Sequence, residues 1–149
     1  MARQALPAYA AYHVTSRGVD GCPIAYDDDD RGFWVSLFRI VASREEWKVP
    51  AWCFMDNHYH ALVETHLERL SRGMHTLNGI YAQRFNERYG RVGHLFKDRF
   101  HAQLIRDDQH LANACDYIWA NPVRAGMCAE VHHYPWSGSI RLGAGVHRR

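Results

Sequence analysis

Lys48-Val49-Pro50-Ala51-Trp52-Cys53-Phe54-Met55, then Asp56-Asn57, then His58-Tyr59-His60-Ala61-Leu62-Val63-Glu64-Thr65 spell two strands on either side of a turn. Asp56-Asn57 is the turn signal, and the run after it alternates as a strand does. Alternation places His58, His60, Leu62 and Glu64 on one face and Tyr59, Ala61 and Val63 on the other. Towards the N-terminus, Asp27–Asp30 marks a helix start, because carboxylates favour the positive end of a helix dipole. Phe33, Leu37, Ile40 and Val41 then recur at helical spacing, predicting a helix of about 15–18 residues. Tyr9 to Ser16 is rich in β-branched and aromatic residues and predicts a first strand ending at Arg17-Gly18.

Towards the C-terminus, Leu70, Met74, Leu77, Tyr81 and Phe85 line one face of a helix over Arg69–Tyr89, which Gly90 to Gly93 breaks. Phe96 to Ile105 predicts a fourth strand, and Gln109 to Asn121 a third helix that Pro122 stops. The order βαββαβ followed by a helix predicts an α+β, ferredoxin-like (split βαβ) fold. Its antiparallel sheet carries helices on one face, with a further C-terminal helix. Residues 1–149 are expected to form one domain, with a core over residues 9–137 and a flexible tail over 138–149 that frays from Gly143 to Arg149.

The 149 residues are 47% hydrophobic and 13% aromatic, which excludes low-complexity disorder. No apolar run approaches the ~18 residues that a membrane span needs, so no membrane association is expected. Cys22, Cys53, Cys115 and Cys128 contain no C-x-x-C pair, which points to a reducing, cytoplasmic setting. Net charge is only +2, but it is unevenly placed: Asp27 to Glu46 balances at −3 and Arg69 to Arg106 at +6. Tyr81, Phe85, Tyr89, Phe96 and Phe100 are interleaved with that basic stretch, a mixture that suits a phosphate backbone with unstacked bases. It equally describes an amphipathic helix with solvated arginines. Arg17, Arg69, Arg72, Arg84, Arg88, Arg91, Lys97 and Arg99 are the candidate backbone contacts.

Two groups carry candidate chemistry. His58 and His60, two apart on a strand, can converge on one divalent ion and leave positions open for a phosphate. Tyr117 and Asn121, four apart on the third helix, share a face; a phenol is a nucleophile and an amide oxygen a third ligand. The plainer alternatives are an incidental histidine pair, a core tyrosine and an asparagine that ends a helix before proline. A zinc hydrolase on His58 and His60 would need a carboxylate base, and Glu64 lies about 7 Å further along the strand. His13-Val14-Thr15 alone lacks the second H-x-[ST] motif of a two-histidine phosphoesterase, so His13 reads as a strand residue with a local hydrogen bond.

Tyr12-His13-Val14-Thr15-Ser16-Arg17-Gly18 resembles the opening of the IS200-like Y1 transposases, which include the REP-associated tyrosine transposases. Met55-Asp56-Asn57-His58-Tyr59-His60, Gly93-His94-Leu95-Phe96-Lys97-Asp98-Arg99-Phe100 and Asp116-Tyr117-Ile118-Trp119-Ala120-Asn121-Pro122-Val123-Arg124-Ala125-Gly126 resemble later segments, in the same order. Asp56 stands where relatives commonly carry proline. The resemblance implies an HUH-type enzyme that cleaves single-stranded or hairpin DNA and transfers the strand through a 5′-phosphotyrosine. It implies Tyr117 as the nucleophile, and His58, His60 and Asn121 as ligands of Mg²⁺ or Mn²⁺. A homodimer is a candidate assembly. The alternative is a nucleic-acid-binding module that keeps the fold without the reaction.

Overall fold

Strand β1 (Ala10–Arg17) runs antiparallel to β3 (His58–Thr65), which runs antiparallel to β2 (Lys48–Phe54). The computed structural model describes residues 9–141 and 145–147. Strand β4 (His101–Leu104) flanks β1, giving the order β4-β1-β3-β2 of the split βαβ arrangement. Helices α1 (Asp28–Arg44) and α2 (Leu67–Tyr89) cover one face of this sheet, and α3 (Asp108–Arg124) covers the other. None of the described helices is long and apolar enough to cross a membrane.

Helix α1 begins as the acidic run predicts: the Asp27 carboxylate accepts from the Asp30 backbone N–H. Its buried stripe is rotated from the expected one, to Trp34, Leu37, Phe38 and Val41, while Ile40 is 54% exposed. The largest side chain decides the rotation. Trp34 is fully buried, with ring centroids 4.6 Å from Phe38, 4.8 Å from Phe54 and 4.7 Å from Tyr59. In β2 a register shift between Lys48 and Ala51 surrounds Pro50, which has no N–H for the ladder. The shift lets Val49 join Trp52 and Phe54 in the core under α1 and α2.

Helix α2 ends at Gly90, whose φ of 61° is the left-handed conformation that glycine adopts freely. Gly73 in its interior faces Trp47: a Cβ there would lie 2.2 Å from Cζ2 of the indole. Only four residues of the expected fourth strand form β4; Phe96 instead makes an isolated bridge with Gly18, and Lys97 N–H donates to the Arg17 carbonyl at 2.8 Å.

Two expectations at the C-terminal end need correction. Pro122 does not stop α3, which continues to Arg124. Pro122 has no N–H for the Ile118 carbonyl, yet the helix runs on for two residues, and the Ala125 N–H closes it on the Asn121 carbonyl. The chain from 138 onwards is not a free tail in its described part. Strand β5 (Ser137–Arg141) pairs antiparallel with β2, and β6 (Gly145–His147) pairs with β5. Ser137-Gly138-Ser139 carries no apolar alternation; the open edge of β2 recruits it. Residues 142–144 and 148–149 of the expected tail lie outside the described residues.

Candidate active site

Ala114 and Ile118 seat α3 on Ala51, Cys53 and Leu62 of the sheet. Tyr117 and Asn121 occupy the neighbouring stripe of the helix, and that stripe meets the histidine face of β3. The Asn121 amide nitrogen lies 3.4 Å from His58 Nε2. The Tyr117 ring centroid is 6.1 Å from that of His60, and the two imidazoles are 5.0 Å apart. The four groups therefore come together from one chain, on the face away from α1 and α2. The Tyr117 ring is 52% exposed, and the Arg124 guanidinium covers it at 4.0 Å while also donating to the Tyr117 carbonyl at 2.9 Å.

Hydrogen bonds assign the tautomer of His58. Its Nδ1 is 2.7 Å from Asn57 Oδ1, an acceptor only, so Nδ1 carries the proton and Nε2 presents a lone pair. Asn121 donates to that lone pair, and a half-turn of its amide brings Oδ1 to the same point. Two imidazole nitrogens and an amide oxygen are a donor set that fits a divalent ion. Burial, then His58, His13, Arg17 and Arg124, pushes the His60 pKa down to about 3. Burial and then Arg17 lower that of His58. Both rings are thus neutral near pH 7, the form that ligates metal. Cys53, opposite His60 on β2, is raised to about 12 by burial and is not a thiolate.

A residue not assigned to the site by the sequence reading also lies here. His13 Nε2 is 3.0 Å from His60 Nδ1, and its ring is 6.3 Å from that of Tyr117. Tyr12 and Val14 are core residues, so alternation along β1 aims His13 at the opposite face. The hydrogen bond of His13 is not the local one expected: it crosses from β1 to β3, and its partner is a candidate ligand.

The eight basic candidates divide sharply. Arg72 forms a two-pronged pair with Glu45 (2.8 and 2.9 Å), Arg69 pairs with Glu46 (3.3 Å), and Arg88 with Asp27 (2.7 Å) and Asp30 (2.6 Å). Arg84 stacks over Phe33 at 4.3 Å and Arg91 donates to Asn86 at 2.7 Å. The pairs of Arg69, Arg72 and Arg88 join the two helical ends of the α1–α2 layer, across the sheet from Tyr117. Arg17 and Lys97 differ. Exposed and without an ion pair among the described residues, they line a cleft of about 300 Å³ with Gly18, Asp20, Asn57 and His58. Arg99 is also exposed. Glu130, His132 and His133 form a separate exposed cluster on the turn before β5, containing none of the expected ligands.

The buried neutral histidines predict a pH response. Unfolding returns His60 to an ordinary pKa near 6.5, so the unfolded chain binds the extra proton as pH falls below that value. Stability is complete above 6.5 and declines towards the folded value of about 3, by roughly 1.4 kcal/mol per pH unit from His60 alone. Urea midpoints in chelator should fall between pH 7 and pH 5, and a flat profile would contradict this environment.

A model of the family described as "Transposase IS200 like" matches residues 11–121. A Haemophilus influenzae protein described as a REP-associated tyrosine transposase is 42% identical over 56 residues, 38% of this chain and 32% of that relative. The match thus spans about one third of that relative's length. Among solved structures, a REP-associated tyrosine transposase bound to a REP hairpin superposes with a TM-score of 0.71 at 17% identity, covering 92% of this chain and 81% of the other. A Deinococcus radiodurans protein described as a transposase gives 0.53 at 15% identity, covering 79% and 95%. These two likenesses establish the shared fold.

Proposed function

Because the chain belongs to the IS200-like transposase family, we propose that it cuts and rejoins single-stranded DNA carrying a hairpin. Tyr117 is the nucleophile, and His58, His60 and Asn121 hold Mg²⁺ or Mn²⁺. The observation that carries this reading is the meeting of an exposed phenol with two neutral imidazoles and an amide across the α3–β3 contact. The hairpin in the solved relative's complex supports the choice of substrate.

The Tyr117 oxygen attacks the scissile phosphorus; the new O–P bond replaces the bond to the 3′ oxygen, which leaves as a hydroxyl. The downstream strand stays attached through a 5′-phosphotyrosine, and a 3′-hydroxyl from another strand reverses the step to join. When bound, a divalent ion offsets charge on the phosphate oxygens. Arg124 sits over the Tyr117 ring and holds it, while α3 sets its approach. Such alignment is worth on the order of 7–11 kcal/mol when complete. One chain supplies all four groups, so the chemistry needs no second copy. The four free cysteines suit a cytoplasmic protein working beside DNA.

The test is incubation with end-labelled hairpin DNA and Mn²⁺ or Mg²⁺. A 3′-labelled strand should become covalently attached to protein, and a 5′-labelled strand should be released with a free 3′-hydroxyl. Binding without an adduct would leave a non-catalytic DNA-binding module.

The Arg17–Lys97 cleft beside His58 takes a backbone phosphate in this reading. Arg17→Ala and Lys97→Ala should each weaken hairpin binding and reduce the salt slope by about 0.7. Arg72→Ala, removing a cation already held by Glu45, should change neither. Fluorescence anisotropy across a salt titration reads all three, and equal effects at Arg72 and Arg17 would refute the assignment.

A further inference from the structure

Strand β1 lies beside β3 in a register that sets Thr15 opposite His60 and His13 opposite Leu62. His13 is therefore the diagonal neighbour of His60, within reach of a long side chain. Both close on one atom. His60 Nδ1 lies 3.0 Å from His13 Nε2 and 3.1 Å from Thr15 Oγ1. His60 itself is only 6% exposed, so these contacts are made away from bulk water.

A neutral imidazole has one N–H and one lone pair, and the neighbours of one nitrogen decide what the other offers. With the proton on Nδ1, His60 donates to the Thr15 hydroxyl and the His13 lone pair, and Nε2 is free to ligate. With the proton on Nε2, the ligating position is blocked. Thr15 is β-branched and stiff at χ1, which fixes the hydroxyl in place. His58 shows the same logic in a separate contact: its Nδ1 faces the Asn57 oxygen, which leaves Nε2 for the site.

We propose that His13 and Thr15 are positioning residues that hold the His60 ring and keep its proton on Nδ1, so that Nε2 faces the metal position. The inference rests on the proposed metal-dependent reading of the site. Groups that orient a ligating histidine in this way typically contribute 10–100-fold to metal affinity.

The experiment measures Mn²⁺ affinity of the intact chain from the free-ion paramagnetic resonance signal, with nitrogen-15 NMR of the imidazoles. Wild type without metal should show His60 protonated at Nδ1. His13→Phe should weaken Mn²⁺ binding about 10-fold or more. Thr15→Val should weaken it in the same direction, and His13→Gln, whose amide oxygen can accept from Nδ1, should recover most of the loss. Melting midpoints report whether each variant is folded. If His13→Phe fails to fold, Thr15→Val and the wild-type NMR spectrum still decide the matter.

An Nε2-protonated His60 in the free protein, or Mn²⁺ affinity within twofold of wild type in folded His13→Phe and Thr15→Val, overturns the proposal. His60→Ala separates the two levels. Loss of Mn²⁺ in that variant without loss in the β1 variants rejects the positioning role alone. No Mn²⁺ binding by wild type, or undiminished binding by His60→Ala, rejects the metal site as well.

Discussion

Tyr117→Phe should abolish the covalent DNA adduct while leaving the fold and hairpin binding as they are. The substitution removes one oxygen that makes no hydrogen bond among the described residues, from a ring that is already half exposed. The ring remains for Arg124 to cover. A change at such a position is expected to move stability by no more than about 0.5 kcal/mol. Binding should survive because Arg17 and Lys97, the proposed backbone contacts, and the imidazoles are untouched. Cleavage should not, because Tyr117 is the nucleophile in the proposed reading; Cys53, opposite His60, is buried and protonated, and His13 and His60 are hydrogen-bonded to each other. The measurement pairs adduct yield on 3′-labelled hairpin DNA with anisotropy and a melting curve. An adduct formed by the Phe variant at the wild-type rate would assign the nucleophile elsewhere.

Gly73→Ala should produce a large loss of stability with no change at the candidate site. Alanine in a helix interior normally stabilises by about 1 kcal/mol relative to glycine. Here the added methyl would meet three atoms of the Trp47 indole at 2.2, 2.9 and 2.9 Å. Trp47 has no room to retreat: it is fully buried, and its Nε1–H donates to the Arg69 carbonyl at 3.2 Å. Overpacking of this kind costs about 1–3 kcal/mol, and the steepness of the overlap points to the upper end. The melting midpoint should fall by several degrees. Gly79→Ala on the same helix is the control, because nothing lies within 4 Å of its added Cβ. That variant should be neutral or more stable. A stabilised Gly73→Ala would mean that α2 and Trp47 do not pack this closely.

The parts of this architecture legible in the sequence are those that local periodicity governs. Alternation along His58–Thr65 placed both imidazoles on one face, and four-residue spacing placed Tyr117 with Asn121. The rest depends on what lies across a strand or helix. His13 was visible as an outward residue of β1, but its partner depends on register with a strand more than forty residues away. The basic run on α2 suggested a DNA-facing surface, yet acids at Asp27, Asp30, Glu45 and Glu46 engage Arg88, Arg72 and Arg69. Charge counted along the chain does not reveal who sits opposite. Strand β5 was missed for a related reason: Ser137-Gly138-Ser139-Ile140-Arg141 has almost no strand character of its own and owes its conformation to the exposed edge of β2.

Helix α3 carries Tyr117, Asn121 and Arg124 on consecutive turns, while Ala114 and Ile118, flanked by Leu111, Cys115 and Trp119, seat it on the sheet, and the Trp119 Nε1–H donates to the Gly138 carbonyl at 3.1 Å. The phenol, the amide and the covering guanidinium are consequently three prongs of one plug. A slide of a single helical turn, about 5.4 Å, withdraws all of them from the imidazoles together. The seat under Ala114 and Ile118 therefore anchors the candidate site, and a bulkier residue at Ala51 would displace phenol and amide in the same movement.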